Sequence, residues 1–166
     1  MVTVDLDYER PPLLYPVGER PPVDAWDVQV PAPTAVAAWI AAGRPAGLYG
    51  VGAQRAISTV TAAFPRVPAR WEGHHGPGYA HPHVHVLLAS RDVDGHLLAR
   101  EQVQRAADEA WIAQVDRMAG YARERPHLGL VWRPDGTIAG VDDSAVPAFS
   151  CVVFVDLERP AVIGRP

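Results

Sequence analysis

His81-Pro82-His83-Val84-His85-Val86-Leu87-Leu88-Ala89 is the stretch that decides the fold. Its alternation has the period of a β-strand, so Val84, Val86 and Leu88 share one face while His81, His83 and His85 share the other. The apolar face calls for helices to cover it. The opposite face presents imidazoles one pleat apart, near enough to hold one ion from the same side. A further histidine from the preceding segment, His74 or His75, would complete a three-imidazole site with open positions for water or substrate. His81 shares the strand face and is an alternative third ligand. A solvated loop, or polar residues filling the wet face of a strand, is the bland alternative. An H-x-H-x-H strand with a histidine pair upstream is a poor fit to either. All-imidazole ligation suits Mn, Fe, Co, Ni, Cu or Zn and does not choose among them. His96 and His127 lie outside the cluster and read as surface or otherwise satisfied histidines.

Working outward, residues 67–71 read as a strand leading to the pliable Gly-His-His-Gly-Pro-Gly stretch, Gly73–Gly78. Upstream, Trp26–Val30 is a strand closed by Pro31-Ala-Pro33. Thr34 is placed to cap a short helix, 35–42, with Gly43 as its stop, and a second helix fits 48–63. Downstream, Asp92-Val-Asp94-Gly95 is a turn. Residues 101–124 carry Val103, Ala107, Ala110, Trp111, Val115, Met118 and Ala122 at helical spacing, and Pro126 ends the pattern. Residues 128–132 and 137–139 suggest a hairpin across Pro134-Asp135-Gly136. A short helix fits 142–149 and a final strand fits 151–157. Trp26, Trp39, Trp111 and Trp132 read as core aromatics, and Trp71 as core or a wall of the histidine pocket. The expected fold class is α+β: an antiparallel sheet with helices packed on one face and a histidine metal site on the other.

Five prolines between positions 11 and 22 make residues 1–24 an extended arm, leaving 25–166 as one domain large enough for a core. Every basic residue is arginine, and the formal net charge is −4. The first point suits a GC-rich, bacterial genome. The second, with arginines scattered among acids, argues against a dedicated basic stripe for nucleic acid. The single cysteine, Cys151, excludes an internal disulfide and a thiolate cluster. No apolar run reaches membrane-spanning length, and the N-terminus lacks a signal-peptide pattern, so a cytoplasmic protein without membrane association is expected.

Taken together, His83-Val-His85-Val-Leu-Leu-Ala-Ser90 followed by Asp94-Gly95-His-Leu-Leu98 resembles the histidine motif of TrwC-type conjugative relaxases, in the HUH endonuclease superfamily. Leu128–Val141, Phe149-Ser150 and Trp26–Pro33 resemble further family segments in the same order. The similarity thus runs from about Trp26 to Ser150. The resemblance implies that His83 and His85 bind a divalent ion, with His74 or His75 as the third ligand. It also implies that Asp27 sits beside the metal and assists the chemistry. Relaxases use the ion to polarise a scissile phosphate while a tyrosine attacks and joins the DNA end. This chain departs from that pattern. The family's tyrosines belong to a segment that is here a short proline-rich arm, with Tyr8 and Tyr15 in no matching context. Pro33-Thr34-Ala35 replaces Pro-Lys-Ser. Strand 151–157 is a candidate for the place of the family's first strand.

The expectation is therefore a short, divergent, stand-alone relaxase-like domain. Its favoured use is metal-assisted chemistry on a small molecule, with Asp27 as the base or as the group that orients a ligand histidine, and Glu72 and Asp92 as lesser supporting carboxylates. A minimal relaxase nicking single-stranded DNA is the alternative. A non-catalytic metal-binding or interaction protein is the third, and self-association is compatible with each.

Overall fold

Among the described residues four strands form one sheet in the order β2 (Ala69–His74), β3 (His83–Ala89), β1 (Asp24–Pro31) and β4 (Cys151–Asp156), every neighbouring pair antiparallel. The computed structural model describes residues 24–74, 81–133, 135–144, 146 and 151–156. Within them β1 is Asp24–Pro31, α1 Thr34–Ala41, α2 Gly47–Ala63, β2 Ala69–His74, β3 His83–Ala89, α3 Arg100–Arg123 and β4 Cys151–Asp156. A 3-10 turn, Pro126–Leu128, follows α3. The architecture is the expected α+β class. The arm 1–24 lies outside the described residues except for Asp24, and so does half of the helix read over 142–149, of which Asp142 and Asp143 are not helical.

The two central strands carry the pattern that sets the sheet. Val28 pairs with Val86 and Val30 with Val84, so both apolar rows point to one side. There they join Trp26 and Leu88 in a cluster with Val36, Leu48, Tyr49, Ala53, Ala56 and Val60 from α1 and α2 and Val103, Ala107, Ala110 and Met118 from α3. That is the core, and it explains why three sequence-distant helices lie on the same face. At the α2–α3 crossing the helices meet at Gly52, where an added Cβ would overlap Met118 Cε and lie 2.8 Å from its Cγ. Only a residue without a side chain leaves room for Met118 at this position.

Small differences from the sequence reading have local causes. Thr34 is the first residue of α1, not its cap; its hydroxyl donates to Asp143 Oδ2 at 2.6 Å, and Pro33 occupies the cap position. The expected hairpin over 128–139 shrinks to one bridge, Trp132 with Ile138, because Pro126–Leu128 coils and Gly129 takes a φ of 67°. α3 buries Gln114 within its apolar stripe, where its amide donates to the Pro31 carbonyl. Trp71 is 54% exposed and points to the helix side, in register with Val86. It is neither core nor a wall of the histidine pocket.

The other face of the sheet is buried as well. Every residue from His81 to Ser90 is buried, and Asp27 and Gln29 are 0% and 2% exposed. Polar side chains at these positions must therefore find partners among themselves.

Candidate metal centre

Strand register assembles the site. His85 faces Gln29 on β1 and Glu72 on β2, while His83 faces His74 on β2. Asp27 stands one pleat from Gln29. Residues two apart on a strand share a face, so these six side chains project from one patch across three strands.

Within the patch, His74, His83 and His85 converge. Their ring centroids lie 4.7–5.0 Å apart, with planes inclined to one another by 55–79°. His74 Nδ1 is 3.2 Å from His83 Nε2, which is 3.1 Å from His85 Nε2. Tetrahedral ligands about 2.0–2.1 Å from an ion stand about 3.3 Å apart, so this spacing suits a shared cation.

The outward nitrogens fix what the inward ones carry. His85 Nδ1 lies 3.0 Å from both Asp27 oxygens. His83 Nδ1 lies 2.8 Å from the His81 carbonyl, and His74 Nε2 lies 3.3 Å from Glu72 Oε1. Carboxylates and carbonyls only accept, so each outward nitrogen is the N–H, and the neutral ring's lone pair is on the inward one. Three lone pairs then meet in a buried space. One proton can bridge one pair of nitrogens; a cation can satisfy all three. This pairing of each ring with an outer acceptor is the arrangement that orients histidines in metal sites and raises their basicity.

Surrounding groups hold the strand ends in place. The Tyr49 hydroxyl, from α2, donates to the His83 carbonyl at 2.7 Å, and burial pushes its pKa well above the ordinary 10.0. Gln29 Nε2 donates to Asp27 Oδ2 at 3.0 Å.

The structure thus places Asp27, His74, His83 and His85 together. His81 turns away: its Nε2 lies 2.6 Å from the Ala32 carbonyl, because the chain has not yet entered β3. His75 and the rest of the glycine-rich stretch after His74 lie outside the described residues, as do Tyr8 and Tyr15. Asp92 is at the far end of β3. There it accepts from the Asp94 and His96 amides in an exposed turn, and those bonds, that from His96 foremost, hold its carboxyl below the usual range. Glu72 does reach the site. Gln29, Tyr49 and Gln114 were not legible as supporting residues. An amide or phenol in an apolar run carries no signal of its own until register shows its neighbour.

No protein-family model matches this sequence, and no curated protein does. Among solved structures, the conjugative relaxase TrwC in complex with OriT DNA, metal-free, is similar at a TM-score of 0.50 and 16% identity over 70% of this chain and 50% of its own. The metal-bound TrwC complex with OriT DNA gives a TM-score of 0.46 at 16% identity, over 70% of this chain and 49% of that one. The chain spans about half the length of these relaxases. No helix of the described residues is long and apolar enough to cross a membrane. What the likeness establishes is the scaffold: this chain has a relaxase-like fold, with three buried histidines that could hold a metal on the sheet face opposite the helices.

Proposed function

We propose that the chain is a divalent-metal-dependent enzyme acting on a small molecule, with His74, His83 and His85 as the ligands. The observation that carries this is the set of outer acceptors, Asp27, the His81 carbonyl and Glu72, which leaves three inward lone pairs facing one another. A bound ion would polarise a carbonyl or phosphoryl oxygen, or make a water acidic enough to attack near neutral pH. Of the two roles open to Asp27, both oxygens being within reach of His85 Nδ1 favours orienting that ring. Glu72, at 48% side-chain exposure, is the member of the set placed to exchange protons with solvent. Enclosure of the histidines and the net charge of −4 support a small ligand over a long polyanion.

Nicking of single-stranded DNA is the second reading, favoured by the fold likeness to TrwC, whose solved complexes contain OriT DNA. Among the described tyrosines, Tyr49 is committed to the His83 carbonyl and Tyr121 stacks under Arg125, 3.7 Å from ring centroid to guanidinium. Neither is aimed at the histidines, so this reading depends on Tyr8, Tyr15 or Tyr79.

Elemental analysis of untagged protein, compared with a His83→Ala/His85→Ala variant, tests the centre. One equivalent of a transition metal, absent from the variant, is expected. No stoichiometric metal after reconstitution would overturn both readings. With the metal established, cleavage of a labelled oligonucleotide would favour the second reading, and turnover only of small esters or phosphoesters the first.

A further inference from the structure

Gln29 carries an atom that the metal centre does not use. Its side chain is 2% exposed and lies directly across the strand pair from His85. Asp27 is an acceptor, so the group donating to it at 3.0 Å must be the Gln29 NH2, and the amide cannot be turned around. That leaves Oε1 on the remaining side. Among the described residues this oxygen is buried and has no hydrogen-bond partner. A buried acceptor without a donor is costly, and a methionine or leucine would fill the same volume without that cost. Retaining an amide here gains the contact to Asp27 and, beside the histidines, a fixed carbonyl with nothing to accept from.

We propose that Gln29 sets specificity at this site: its NH2 holds Asp27 against His85, and its carbonyl oxygen accepts a hydrogen bond from an N–H or O–H of the entering ligand. The inference rests on the metal centre proposed above and deepens it. It predicts that substrates carry a polar hydrogen next to the atom that meets the ion, as an amide, hydroxamate, alcohol or protonated phosphoester does. Ligands with only acceptor atoms leave the Gln29 oxygen unmet, and a site built to hydrogen-bond a donor discriminates against an analogue that lacks it.

The test uses the full chain loaded with one equivalent of cobalt(II), whose visible absorption reports both uptake and ligand entry. Two probes are titrated, acetohydroxamate and N-methylacetohydroxamate, a chelating pair in which one N–H is replaced by a methyl group. Wild type is expected to bind the first roughly tenfold more tightly, the scale of one buried hydrogen bond. Gln29→Met should take up cobalt and lose that preference. Gln29→Glu keeps an oxygen but loses the donor to Asp27, so it should keep the preference while holding cobalt more weakly. Equal preference in wild type and Gln29→Met would overturn the proposal and leave the metal centre standing, as would no preference in wild type. Should Gln29→Met fail to fold, Gln29→Glu decides the matter with the opposite reading: loss of the preference in a Gln29→Glu chain that takes up cobalt would overturn the proposal. A wild-type chain that takes up no cobalt would overturn the centre and this inference together.

Discussion

At the scale of single residues, the chemistry rests on which nitrogen of each imidazole holds a proton. Asp27 settles that for His85, since a carboxylate 3.0 Å from Nδ1 can only accept. Replacing it with asparagine keeps the size but brings an amide hydrogen toward either His85 or Gln29, where a donor already points. Asp27→Asn is therefore expected to weaken metal binding about 10–100-fold, the usual effect of losing an outer partner of a ligand histidine. Competition against a chelator of known affinity measures it. An unchanged affinity would show that Asp27 does not set the ring. His83 and His85 were legible from alternation alone. The third histidine of the cluster was not. His74, His75 and His81 are equivalent in sequence, and only the pairing of β2 with β3 puts His74 opposite His83 while His81 stays before the strand.

At the scale of elements, the strands and helices follow their patterns closely because each pattern has a physical partner. Val84, Val86 and Leu88 need a cover, and three helices with apolar stripes provide it. Legibility fails where a residue's role is set by another element. Thr34 looks like a cap and instead donates to Asp143, and Gly52, within α2, makes room for Met118 of α3. Gly52→Ala should gain helix propensity yet lose stability, because the overlap with a fully buried methionine must be relieved by repacking. Overpacking of this kind costs about 1–3 kcal/mol, so Tm should fall on the order of 5 °C. Thermal unfolding followed by circular dichroism checks it. A rise in Tm would mean that Met118 moves aside freely.

At the scale of the whole molecule, stability should respond to pH through a group outside the centre. Tyr49 is neutral and buried, and its folded-state pKa lies above the unfolded value of 10.0. Below pH 10 both states keep the proton and nothing is lost. Above it the unfolded chain releases a proton that the fold retains, so stability falls as pH rises. The chain has no lysine to titrate in the same range. Tyr49→Phe should lower Tm at neutral pH by about 2–4 °C, through loss of one buried hydrogen bond worth about 1 kcal/mol, and should flatten the alkaline decline. Parallel melts of wild type and variant between pH 8 and pH 11 decide this; equal alkaline slopes would overturn it.

One feature of the sheet has a mechanical meaning. His83 and His85 belong to an interior strand, whereas His74 is the last residue of β2, at the sheet's edge. An ion shared by the three would act as a rivet between an outer strand and the middle of the sheet. Removing it with a chelator would leave β2 held by its ladder alone. Backbone amides of Ala69–His74 should then exchange with deuterium faster than those of β1, and the bared edge would offer a template for a second chain. Hydrogen-exchange mass spectrometry with and without chelator would show the rivet as protection confined to that strand. Uniform change across the sheet would mean that the ion braces the fold as a whole.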